Sequence, residues 1–480
     1  MFSADLVTSF TALLTKMSVE HEQPALHTAT LVGARGQAIL STLLSVLQSL
    51  KAVLQLVIRS RDTAFRDLSC LPALLRTFTL LRAVPTTSLH SSQARRAEQE
   101  LVESLLAFTQ PMVDMAKHDV AKTLWSLMVG EVVKYATSCP LAYCPGLHLF
   151  SRLLPLPSPP PSLPALSTAR KLWSAHLHPL ACSVQDMVGT MAGLGHPPLL
   201  VLLERVSNQL AALSPPSALT VLRGVLAALE GLGEKEDRVE AQLLRFLASC
   251  CQQPLLKAAA LHLLREERSA LLTPIQRAFS SPALPAVQPS ALAIVRTLCD
   301  PSTKPTPSSG LADCLPDSAS LVALVDPVVG YLAADASSLS SLNELLHLLQ
   351  QFAGHPNTAA ALHTALLAAS SRPCLVLLRR LAVELGSSRG EVLGCLALCL
   401  TLATSLEPCL GAGGLSLVLG WREQEEGEQE AAERRRTHPL AVLANRLTEE
   451  GEGTDQEARI QVVLLVGSVA SIHIFKCQTL

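Results

Sequence analysis

The sequence predicts an all-α protein built from helix pairs stacked side by side. Three observations carry that reading. Leucine fills 95 of the 480 positions and shares the chain with abundant alanine, and both are strong helix formers. Hydrophobic residues make up 49% but aromatics only 3%, and charged residues 16%. Such a chain can bury a large core, so global disorder is excluded, and it lacks the β-branched and aromatic runs of an all-β fold. Apolar residues also recur every three and four positions, in one segment after another.

The first helix is read over 5–19, with Leu6, Phe10, Leu13, Leu14 and Met17 on one face. The second runs over 38–58, through Leu40, Leu43, Leu44, Leu47, Leu50, Leu54 and Val57. The same spacing predicts helices over about 71–83, 94–117, 119–137, 167–192, 198–213, 217–232, 238–250 and 254–266. It continues over about 288–299, 319–334, 339–353, 357–370, 374–386 and 389–405. Short Pro, Ser or Gly joints separate them. In Ser214-Pro215-Pro216-Ser217, Ser217 is expected to cap the following helix. Gly354-His355-Pro356-Asn357, Ser371-Arg372-Pro373 and Gly386-Ser387-Ser388 are the others. Many helices are apolar on more than one face, as in Leu375-Val376-Leu377-Leu378. That suits helices held between neighbours, so the expected architecture is a degenerate armadillo- or HEAT-like α-solenoid. One or two globular helix bundles are the rival layout.

Three breaks divide the chain. Residues 1–154 form the first part of the stack, 155–166 a proline-rich linker, 167–405 its continuation with a loop at 300–317, and 406–480 a divergent end. The linker reads Pro155-Leu156-Pro157-Ser158-Pro159-Pro160-Pro161-Ser162-Leu163-Pro164 and should be extended. The divergent end opens on a charged stretch from Trp421 to about Glu457 and closes on an apolar tail, Val462 to Phe475. No run reaches the roughly 18 uninterrupted apolar residues of a spanning helix, and no membrane association is expected. The N-terminus lacks the basic region of a signal peptide.

Thirteen cysteines without CxxC spacing read as reduced core thiols. Cys139-x4-Cys144, flanked by Pro140 and Pro145, reads as a turn and not as half a metal site. Phosphate-loop, dinucleotide, nucleophile-elbow and HExxH patterns are all absent. No catalytic residue, metal site or cofactor is therefore expected, and the chain is read as a non-enzyme. The balance of 38 basic and 40 acidic residues lacks the excess of a nucleic-acid module. One cluster stands out after the linker, running from Thr168 to His178. There Arg170, Lys171, Trp173, His176 and His178 make the candidate partner-contact surface, against the plainer reading of a helix start whose Trp173 fills the core.

The stretch from Leu153 to Pro157, followed by Leu166 to His178, resembles the Virilizer family. So does Leu213-Ser214-Pro215-Pro216-Ser217-Ala218-Leu219 leading into Val221-Leu222-Arg223, with weaker similarity over Lys257 to Leu264 and about 315–402. The resemblance covers roughly 1–405. It implies an armadillo-like solenoid that serves as the non-catalytic scaffold of the nuclear complex writing N6-methyladenosine into messenger RNA. It implies a WTAP-type coiled-coil adaptor and other writer-complex subunits as partners, with the methyltransferase heterodimer bound indirectly. Roles in site selection and splicing, and a place in the nucleoplasm and nuclear speckles, follow from the same resemblance. N6-adenine methyltransferases carry an acidic or amide residue before Pro-Pro-aromatic. The nearest string here, Asp326-Pro327-Val328-Val329, lacks that pattern. Family members are much longer, with an N-terminal non-solenoid domain and an Arg/Gly-rich tail, so this chain is expected to be an internal-to-C-terminal piece whose contact with RNA is indirect. The alternative is an unrelated solenoid adaptor in the cytosol or at membranes.

Overall fold

The computed structural model describes residues 31–33, 35–59, 71–107, 129–137, 140–154, 174, 177–232, 237–280, 287–300, 316–333, 339–369, 372–384, 389–410, 439 and 442–443. Among these residues there are α-helices and one 3-10 turn, and no strand. The chain divides into two compact units, Met1–Ala259 and Ala260–Leu480.

The first unit holds α1 (Gly36–Arg59), α2 (Leu71–Ala83), α3 (Ser91–Ala107), α4 (Pro140–Leu153), a 3-10 turn (His178–Leu180), α5 (Ala181–Ala192), α6 (Pro197–Leu213), α7 (Pro215–Glu230) and α8 (Asp237–Gln252). Helix α9 (Pro254–Glu266) contains the division. Helix α1 packs on α3, α2 on α4, α4 on α6, α5 on α7 and α6 on α8. Sequence neighbours also meet, as α2 meets α3, α5 meets α6 and α6 meets α7. Contacts to the next helix and to the next but one are the mark of an α-solenoid. Phe78, Phe150, Phe246, Leu47 and Leu74 are wholly buried between the layers.

The second unit holds α10 (Arg268–Ser280), α11 (Gln288–Cys299), α12 (Ser318–Tyr331), α13 (Leu339–Ala353), α14 (Pro356–Ala368), α15 (Pro373–Glu384) and α16 (Arg389–Leu410). The pattern repeats: α10 packs on α12, α12 on α14, α11 on α13 and α13 on α16. Its core includes a buried bond in which the Tyr331 hydroxyl donates to Gln288 Oε1 at 2.5 Å. Apolar faces on both sides are used as expected: Leu377 and Leu378 are each 1% exposed. No single described helix is long and apolar enough to cross a membrane. By length and composition alone one bent pair passes, α14 with α15, at 80° to each other.

Four expectations are corrected. The Pro140–Pro145 segment is helix α4, not a turn. Pro140 takes the first helical position, where the missing N–H costs nothing, and Pro145 is carried inside the helix. Helix α10 lies over Arg268–Ser280, where none was expected, and carries Pro274 inside it. The helix read over 167–192 is interrupted by the 3-10 turn, which has Pro179 at its centre. Ser217 is not a cap. Pro215 and Pro216 open α7, Ser214 is the capping residue in extended backbone, and the Ser217 amide donates to the Ser214 carbonyl at 3.0 Å. The predicted linker, most of the 300–317 loop, the charged stretch and the tail lie outside the described residues.

Candidate partner-contact face

Of the five residues singled out in sequence, Arg170, Lys171, Trp173 and His176 lie outside the described residues. His178 is described. It opens the 3-10 turn, and its carbonyl accepts from the Ala181 amide. Leu177 and Leu180 on either side are buried, at 4% and 8% exposure, which leaves His178 on the surface.

Just before that segment, three helices bring a basic face together. Phe78 of α2 stacks on His148 of α4, ring centroids 6.5 Å apart and planes 11° from parallel. One turn further along each helix stand Arg82 and Arg152. One turn along α4 from His148, Ser151 donates to Gln209 Oε1 at 2.7 Å, and Gln209 Nε2 donates back to the Ser151 carbonyl at 3.1 Å. That buried pair fixes α6 against α4 and sets Arg205, one turn from Gln209, beside His148.

The charges on this face are unevenly matched. Arg82 pairs with Glu98 of α3 at 3.1 Å, and Glu98 also pairs with Arg95. Lys51 of α1 bridges Glu100, at 3.0 Å, and Glu103 of α3. Arg152 and Arg205 have no ion pair among the described residues, and the Arg205 Nε–H is buried without an acceptor. The neighbouring Glu204 carboxylate accepts from Ser249 at 2.6 Å.

Burial, then Arg82, holds the His148 imidazole below its ordinary pKa, with Arg152 and Arg205 acting the same way and Glu98 opposing. The unfolded chain therefore takes up a proton near pH 6.5 that the folded chain resists. Stability from this residue is full above about pH 6.5 and is lost as the pH falls toward the lower folded value. The urea midpoint of the wild type is expected to fall between pH 7 and pH 5. In His148→Leu it should fall less; an equal fall in both would clear His148 of the effect.

Burial pushes Cys251 and Cys374 up to about 12 and Cys395 to about 11, and a thiol so far above neutral pH is a poor nucleophile. Among the described residues, no three His, Cys, Asp or Glu side chains are grouped to hold a metal ion. Asp326-Pro327-Val328-Val329 lies inside α12, with Val328 and Val329 at 0% exposure.

Sequence reasoning missed Arg152 and Arg205 because they lie far apart in the chain and share no local pattern. A weaker signal was present. Residues 132–185 hold no Asp or Glu, yet hold Lys134, Arg152, Arg170 and Lys171. Of the arginine face, Arg152 lies in that acid-free stretch with the cluster after the linker, whereas Arg82 and Arg205 lie outside it.

No protein-family model matches the chain. It is 31% identical over 278 residues to Protein virilizer of Drosophila melanogaster, an alignment covering 55% of this chain and 15% of that protein. Against the Protein virilizer homolog of Mus musculus it is 28% identical over 395 residues, covering 74% of this chain and 22% of the relative. The human homolog gives 27% over the same length. The matched part is thus between about a seventh and a quarter of the length of these relatives, and it recurs from flies to mammals. Over the matched part, the chain is similar to Virilizer proteins.

Proposed function

We propose that this chain is a non-catalytic scaffold segment of the nuclear complex that writes N6-methyladenosine into messenger RNA. It holds a WTAP-type coiled-coil adaptor and regulatory subunits, and through them the methyltransferase heterodimer. The observation that carries this reading is the sequence shared with Virilizer proteins, 74% of the chain in the mouse comparison. The physical support is surface. Stacked helices leave ridges and grooves along each layer, and a partner helix docks there through residues at i, i+3, i+4 and i+7. The roles in site selection and splicing, and the nuclear location, belong to the same proposal.

The test is an affinity pull-down of tagged 1–480 from nuclear extract, read by mass spectrometry. Adaptor and methyltransferase subunits should be recovered, lost when 1–405 is removed, and kept when 406–480 is removed. Recovery of the protein without those subunits would overturn the reading and leave a general solenoid adaptor.

A further inference from the structure

We infer that the α4–α6 face of the first unit, centred on Arg152 and Arg205, receives the carboxylates of an acidic helical segment of a partner protein. This deepens the scaffold reading and rests on it. The starting observation is an incomplete charge account. Arg152 is exposed and Arg205 half-buried, on neighbouring helices locked together by the Ser151–Gln209 pair. Neither has an ion-pair partner among the described residues, and the Arg205 Nε–H is a buried donor with no acceptor. That Nε–H lies inside the protein, so what the two side chains offer a partner is the terminal nitrogens of their guanidiniums. Both cations are guanidiniums, whose planar forks match carboxylate geometry bidentately. Arg152 lies in a stretch, 132–185, that contains no Asp or Glu.

The surroundings favour a protein carboxylate over a nucleic-acid backbone. Glu98, Glu100 and Glu103 of α3 line one side of the face, and Arg152 is near enough to Glu103 to help hold its carboxyl below the usual range. A polyanion laid along this surface would meet those glutamates, whereas a helix with spaced acidic residues would not. Single-stranded nucleic acid is also gripped by stacking on aromatic side chains. Among the described residues no large aromatic is exposed.

The experiment is fluorescence anisotropy with intact 1–480 and three probes. One is a peptide of about 20 residues with glutamate at every fourth position, some 30 Å long as a helix. The second is its glutamine counterpart. The third is an oligouridylate of equal charge. The acidic peptide should bind, more weakly at higher salt, and the glutamine peptide should not. Arg152→Glu combined with Arg205→Glu should weaken binding at least about tenfold. The milder Arg152→Gln with Arg205→Gln should weaken it less, with helicity by circular dichroism unchanged. The exposed control Arg238→Glu on α8 should bind as the wild type does. Equal binding by the arginine variants, or no binding by the wild type, overturns the proposal. So does tighter binding of the oligouridylate through the same two arginines. The scaffold reading is judged separately. If the double glutamate variant recovers the writer subunits in the pull-down as the wild type does, this face is wrong and the scaffold stands. If the wild type recovers none, the scaffold reading itself fails.

Discussion

Gly224→Ala is expected to lower the urea midpoint of the protein, and Gly394→Ala to raise it. The same chemical change acts on two helical glycines with opposite sign. Alanine gains roughly 1 kcal/mol over glycine inside a helix, because glycine loses more backbone freedom on folding. At Gly394 in α16 a new Cβ meets nothing within 4 Å, so that gain is realised. At Gly224 in α7 the Cβ would lie 2.5 Å from the Gln185 carbonyl oxygen of α5, and 3.2 Å from Gln185 Cα and carbonyl carbon. These are backbone atoms of a packed helix and cannot swing aside. The crossing is tight from the other side too: a Cβ on Gly189 would lie 2.8 Å from the Gly224 carbonyl oxygen. Overpacking of this kind costs about 1–3 kcal/mol for a small group and more for a large one. Gly224→Ala should therefore lose about 1–2 kcal/mol net, and Gly224→Leu more than that. Urea titrations followed by circular dichroism measure both glycine sites. A Gly224→Ala variant as stable as the parent would mean that α5 and α7 are not in backbone contact at this point.

That crossing also shows what could be read from the sequence and what could not. The spacing of leucines placed α2 at 71–83 and α13 at 339–353, and the structure has both at those bounds. Helical periodicity is local, so it survives the absence of any neighbour in the reading. Helix α4 was passed over because Pro140 and Pro145 read as a turn, and α10, which carries Pro274, was not expected. Their apolar faces, anchored by Phe150 and by Leu271 with Ile275, outweigh the lost backbone bond. Contacts between helices left no such trace. Nothing around Gly224 announces that Gln185 lies against it, and nothing near Arg205 announces Ser151. The candidate site was legible only as a concentration of basic residues after the linker. The facing arginines needed the α4–α6 register, which the buried Ser151–Gln209 pair sets.

Arg95→Ala should be the other costly substitution, lowering stability by about 2–4 kcal/mol. Arg95, at the start of α3, does two things at once. Its Nη2 donates to the carbonyls of Leu81 at 3.0 Å, Arg82 at 3.3 Å and Val84 at 2.7 Å, so one guanidinium satisfies the last carbonyls of α2. Positive charge at that end also complements the helix dipole. Its other amino group, Nη1, holds Glu98, whose side chain is only 9% exposed. Removing Arg95 takes a donor from the Arg82 and Val84 carbonyls and leaves the buried carboxylate half-matched, and that carboxylate carries most of the desolvation cost. Arg82→Ala removes only the 3.1 Å bond to Glu98 from a side chain 37% exposed, so its loss should be about 1 kcal/mol or less. Arg95→Lys should restore little, because an ammonium cannot span three carbonyls and a carboxylate with a planar fork. Adding Glu98→Gln to Arg95→Ala should recover part of the loss, since a neutral amide is less costly to leave half-matched than a carboxylate. If Arg95→Ala and Arg82→Ala lose equal stability, the bonds to the end of α2 contribute nothing, and the ion pairs with Glu98 are the whole of Arg95's role.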